Sequence, residues 1–66
     1  MPYINIKLAG TPPTAEQKAF IISEYTRILA ETLGKNPQTT IVIIEEVPTD
    51  NWGIGGETVT LRSSRK

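Results

Sequence analysis

Apolar and polar residues alternate from Tyr3 to Leu8: Ile4, Ile6 and Leu8 face one way, and Tyr3, Asn5 and Lys7 the other. A period of two, rich in isoleucine, predicts a strand half-buried on one face. Ala9-Gly10-Thr11-Pro12-Pro13 ends it, because two prolines and a glycine cannot continue a paired strand. The period then becomes helical. Ile21, Tyr25, Ile28 and Leu29 recur on one side, Ile22 and Leu33 widen the stripe, and Glu16, Lys18, Glu24, Arg27 and Glu31 fall largely opposite. Thr14-Ala15-Glu16-Gln17 has the form of a capping box, with Glu16 suited to the positive end of the helix dipole. Gly34 supplies the left-handed C-cap. An amphipathic helix is expected from Ala15 to Leu33, laid on a sheet.

Thr39-Thr40-Ile41-Val42-Ile43-Ile44 is the most β-prone stretch and is nearly continuous in apolar residues. Such a strand expects burial on both faces. The intervening helix leaves room for a parallel crossover, a β-α-β unit. One helix cannot cover both faces of two strands, so Ile41 and Ile43 would meet water unless a second subunit covers them. Pro48-Thr49-Asp50-Asn51-Trp52 reads as a turn-rich loop, Gly53-Ile54-Gly55-Gly56 as a tight turn, and Glu57 to Leu61 as a short strand. The glycine segment lacks the Lys-Ser/Thr of a phosphate loop, and no helix pattern follows it.

The 66 residues make one domain, too small to bury a large core. Chains of this size call on disulfides, a metal or partner subunits. With no Cys and no His, thiolate and imidazole metal sites are absent and no cofactor is implied, which leaves self-association. Seven basic residues balance seven acidic ones, unlike the basic excess of a nucleic-acid binder. Only the polar tail, Arg62-Ser63-Ser64-Arg65-Lys66, is locally basic. No run approaches the ~18 apolar residues that span a bilayer, and no signal pattern opens the chain. The cytoplasm is the expected location, with neither nucleic acid nor membrane as partner.

Met1-Pro2 carries the candidate chemistry. A residue as small as proline at position 2 favours removal of the initiator methionine. The ring nitrogen then becomes a secondary amine, which can take a proton where an amide cannot. Without His or Cys, the commonest general bases and nucleophiles are missing or reduced to carboxylates. On the dipeptide alone, a chance Met-Pro that only protects the terminus is the commoner case. Glu45 and Glu46 point to opposite strand faces and cannot share one site in a subunit, so edge charges or ion pairs are expected. Trp52, beside glycines that allow close approach, is either an interface plug or a pocket wall.

Taken together, the chain resembles the 4-oxalocrotonate tautomerase family over nearly its whole length. The resemblance rests on Met1-Pro2 before an alternating strand, Glu16-Gln17-Lys18 opening the helix, and Ile43-Ile44-Glu45-Glu46 closing the second strand. Its most specific part is Trp52-Gly53-Ile54-Gly55-Gly56-Glu57, similar to that family's aromatic-Gly-Ile-Gly-Gly-Glu segment. The resemblance implies an α/β fold: a two-layer β-α-β subunit with a short C-terminal hairpin, paired into a four-stranded sheet, with three dimers forming a hexamer. It implies Pro2 as a general base that moves a proton along a conjugated system, and a lowered pKa that keeps the amine neutral. Trp52 matches the family's pocket aromatic, with Ile54 close by.

The departures concern substrate. Well-studied members carry an arginine just after the glycine that follows the first strand; here Thr11-Pro12-Pro13 follows Gly10, one residue longer. A second arginine is expected where an ungapped comparison places Ile41, and residues 36 to 51 contain none. Efficient use of a dicarboxylate is therefore not expected. Thr11 stands at the first of these positions. Lys7, Lys35, Arg62 and the Trp52 indole are the substitutes on offer, with Arg62 put first and Lys7 assigned to the dimer-packing face. The expected activity is enol–keto tautomerisation of a small unsaturated or α-keto acid. The alternative is a structural or regulatory oligomer that kept the scaffold and lost efficient chemistry.

Overall fold

The computed structural model describes residues 1–64. Its alternating segment forms β1 (Tyr3–Leu8), paired in parallel with β2 (Ile41–Glu46). The register sets Tyr3 against Ile41, Asn5 against Ile43 and Lys7 against Glu45. Side chains alternate across a strand, so these six share one face. Ile4, Ile6 and Leu8 share the other with Val42, Ile44 and Glu46.

Between the strands runs α1 (Ala15–Leu33). Its start is the expected capping box: Thr14 Oγ1 accepts from the Gln17 N–H at 3.1 Å, and Gln17 Oε1 accepts from the Thr14 N–H at 2.8 Å. It ends at Gly34, whose φ of 66° lets its N–H turn back to the Ala30 carbonyl. An ion pair from Lys18 to Glu46, at 2.8 Å, places α1 over the Ile4–Ile6–Leu8 face.

The second strand begins later than Thr39. Pro37–Thr39 form a 3-10 turn capped by Asn36, whose Oδ1 accepts from the Gln38 N–H at 2.9 Å. The Thr39 and Thr40 hydroxyls donate back to the Asn36 carbonyl, so local bonds displace the ladder there. Beyond β2, Thr49–Asn51 form another 3-10 turn. A hairpin of β3 (Gly53–Ile54) and β4 (Glu57–Thr58) follows. Gly55 and Gly56, at φ 60° and 86°, make its two-residue connection, a conformation only glycine adopts cheaply at both positions.

The strand expected from Glu57 to Leu61 stops at Thr58. Val59–Ser63 instead form a short helix, α2, with the Thr58 hydroxyl accepting from the Leu61 N–H at 3.1 Å. Thr60 is drawn from a strand path by the Asp50 carboxylate, to which it donates at 2.5 Å, and by the Thr49 hydroxyl at 2.6 Å. Arg62 and Ser63, read as part of a polar tail, are exposed residues of α2; residues 65 and 66 lie outside the described residues.

No described side chain is fully buried. A radius of gyration of 15.3 Å compares with about 11 Å for a compact chain of this length. The accessible surface of 4968 Å² exceeds the roughly 4,200 Å² typical of a folded monomer of this mass. The uncovered sheet face leaves Tyr3, Ile41 and Ile43 at 61, 38 and 40% exposure. The chain builds one cover for a sheet whose both faces carry apolar residues.

Candidate active site

Pro2 stands at the head of β1, half-buried, its carbonyl accepting from the Ile41 N–H at 3.0 Å. That bond ties the segment to the first residue of β2. At the far end of the strand pair, the Val47 N–H donates to the Leu8 carbonyl at 2.8 Å, and the chain turns back through Thr49–Asn51. This return places Trp52 beside Lys7. Trp52 is held at both backbone groups: its N–H reaches the Thr49 carbonyl at 3.4 Å, and its carbonyl accepts from the Val59 N–H at 2.8 Å.

Lys7, Val47, Asn51, Trp52 and Gly53 line an open cleft of about 300 Å³. That is the lower end of the size of small-molecule sites. Glu45 accepts from the Lys7 ammonium at 2.6 Å and from the Asn5 amide at 2.7 Å. These bonds hold the Glu45 carboxyl below the usual carboxylate range, Lys7 contributing most and Asn5 next. Glu46 takes Lys18 on the other face, so the two adjacent carboxylates are separate ion pairs, as their alternation requires.

The residues picked out from the sequence fall into separate places. Trp52 walls the cleft. Ile54 is exposed on β3, opposite Glu57. Arg62 lies along the same hairpin, its Nη1 3.9 Å from Glu57 Oε1 and close to Gly55. Thr11 is exposed in the loop after β1 and does not line the cleft. Pro2 is five residues from Lys7 along an extended strand, a separation of about 17 Å. Within one chain, then, Pro2 and the tryptophan cleft lie at opposite ends of the sheet. Val47 and Asn51 carried no signal in the sequence, since a valine after a strand and an asparagine in a turn are ordinary. Lys7 was visible as a cation but not as a neighbour of Trp52. Among the described residues, no group of three or more His, Cys, Asp or Glu side chains could hold a metal, and no helix is long and apolar enough to cross a membrane.

The family profile described as "Tautomerase enzyme" matches residues 2–62. "Probable tautomerase K2" of Dickeya dadantii is 60% identical over 62 residues, covering 94% of this chain and 92% of that protein. A 2-hydroxymuconate tautomerase of Comamonas testosteroni is 44% identical over 57 residues, 85% of this chain and 87% of its own. Among solved structures, DmpI from Helicobacter pylori superposes with a TM-score of 0.87 at 39% identity, covering 98% of this chain and all of that one. A heterohexamer 4-oxalocrotonate tautomerase from Chloroflexus aurantiacus superposes at 0.79 with 25% identity, covering 91% of this chain and 95% of its own. Profile, sequence relatives and backbone shape agree over most of the length: the chain belongs to the tautomerase family and has the 4-oxalocrotonate tautomerase fold.

Proposed function

We propose that this chain is a cytoplasmic tautomerase that interconverts enol and keto forms of a small unsaturated or α-keto acid, with the Pro2 nitrogen as general base. Removal of Met1 frees that nitrogen. Its lone pair takes a proton from a carbon or enol oxygen conjugated with the carbonyl. The resulting ammonium returns the proton further along the same π system. A base serving both steps works best with its pKa near ambient pH, and partial desolvation with nearby positive charge moves an amine in that direction.

The observation that carries this reading is the placement of Pro2 at the opposite end of β1 from a cleft walled by the family's pocket aromatic. A second copy closes that gap. Among the described residues β1 pairs with β2 on one side only, which leaves an edge for another strand. Two-fold pairing across that edge is antiparallel. Full overlap would set Tyr3 of one copy opposite Leu8 of the other, bringing Pro2 to the end where Lys7 and Trp52 lie. Exposed Tyr3, Ile41 and Ile43 then call for cover from further dimers, which supports a trimer of dimers. Thr11 and Ile54 would border the completed site. Arg62 stays on the hairpin, outside the cleft walls.

The test is turnover of a panel of enol acids by the wild type and Pro2→Ala. The substitution is expected to lower kcat/KM by about a hundredfold or more, the scale of lost general-base catalysis. Intact mass establishes whether Met1 is gone. A Pro2→Ala chain as active as wild type would overturn the assignment. An ordinary amine pKa for Pro2 by NMR would instead favour the structural or regulatory oligomer.

A further inference from the structure

We propose that Lys7 is the carboxylate anchor of the Trp52 cleft, which therefore takes a monocarboxylate with a flat conjugated body rather than a dicarboxylate. The proposal deepens the tautomerase reading and rests on it for the chemistry, while its claim about binding is tested without turnover.

Of the five residues lining the cleft, Lys7 alone carries charge. An ammonium has three donors, and Glu45 accepts from the Lys7 group at 2.6 Å, so donors remain for a ligand. Glu45 acts on Lys7 in two ways. It fixes the side chain, which is otherwise long and exposed, and it offsets part of its positive charge. Asn5 donates at 2.7 Å to the same Glu45 oxygen, Oε1, that takes the Lys7 bond, so the position of the pair is set from β1 and β2 together. In the same cleft, Trp52 supplies a large π surface, with Val47 and Gly53 as further walls.

One cation and one aromatic wall suit an anion at one end and a planar conjugated chain at the other. A second carboxylate would find no second cation on these walls. Arg62 does not line the cleft; it lies along the hairpin, 3.9 Å from Glu57. Residues 36 to 51 supply no arginine in its place. The chain thus keeps the family's aromatic wall but replaces guanidinium recognition by a single paired lysine. An ammonium is a point charge without the guanidinium's fork, so it anchors a carboxylate without demanding two-pronged geometry.

The chain has a single tryptophan, so its fluorescence reports this cleft. Titration of the full chain with cinnamate should give a saturable quench. Neutral cinnamamide should bind about tenfold more weakly, and muconate no more tightly than cinnamate. Lys7→Met should weaken cinnamate by about tenfold while leaving cinnamamide unchanged, and Lys7→Arg should stay within about threefold of wild type. Glu45→Gln should tighten cinnamate by roughly twofold to threefold, because it removes the competing charge. A purely structural Lys7–Glu45 pair would instead make both Lys7→Met and Glu45→Gln weaker. Equal binding of cinnamate and cinnamamide by the wild type would overturn the proposal, whether or not Lys7→Met folds. So would wild-type cinnamate affinity in a Lys7→Met protein of normal size and Tm. Pro2→Ala separates the two readings: turnover that survives it sinks Pro2 as the general base and leaves the anchor standing, whereas equal binding of cinnamate and cinnamamide sinks the anchor and leaves Pro2 standing.

Discussion

The two faces of the β1–β2 sheet are built from the same twelve residues and end in different states. Toward α1, Ile4, Ile6, Leu8, Val42 and Ile44 are all half-buried. Away from it, Tyr3, Ile41 and Ile43 stand open, and only the Asn5–Lys7–Glu45 end is polar. One face is finished within the chain. The other is divided along its length, apolar at the Pro2 end and charged at the Trp52 end. That division separates two tasks: the apolar part asks for a protein neighbour, and the charged part borders a cleft.

The largest effect should come from charging the open face. Ile43→Lys is expected to abolish assembly at micromolar concentration, read by sedimentation velocity. An unchanged sedimentation coefficient would show that this face meets no neighbour. On the covered face, Ile6→Ala should cost about 2 kcal/mol, the low end for a large-to-small change because the site is only half-buried. Its assembly size should stay as wild type at high concentration, which denaturant melts at several concentrations would separate from a dissociation effect. Thr14→Ala removes the cap that starts α1 and should cost about 1 kcal/mol by the same melts.

The smallest effect is a pH dependence confined to the charged end. The folded-state pKa of Glu45 is depressed, chiefly by Lys7. Its contribution is therefore present above the carboxyl's unfolded pKa and is lost as pH falls through the folded value. An NMR titration should place the Glu45 midpoint below that of ordinary exposed glutamates. Lys7→Met should move it upward, and a midpoint indifferent to that substitution would disprove the pairing in solution.

Much of this was legible locally. The Tyr3–Leu8 alternation, the Thr14 box and the Gly34 cap depend on neighbours within four residues, and each formed as read. The glycine turn was legible for the same reason, but it was read over residues 53–56, whereas Gly53–Ile54 form β3 and Gly55 and Gly56 alone make the turn. The start of β2 and the end of β4 were not. Asn36 and Pro37 took the first threonines into a 3-10 turn, and Thr60 was pulled into α2 by Asp50 and Thr49, ten and eleven residues upstream in sequence. In the candidate site, Pro2 was a candidate by its chemistry, and Trp52, read as either an interface plug or a pocket wall, lines the cleft. Lys7 did not, because only the return of residues 47–52 across the sheet end makes it a wall of the cleft.

Composition and short-range pattern alone determined that this chain lays a long helix against two parallel strands, that it lacks enough cover for its apolar surface, and that it has neither imidazole nor thiol to offer. Those conclusions follow from periodicity and inventory, which need no knowledge of distant contacts. Tertiary structure decided which cation borders the tryptophan and that Pro2 lies a strand's length from it. Both are distances between segments far apart in sequence, set by strand register and by the path of a loop, and no local preference encodes them.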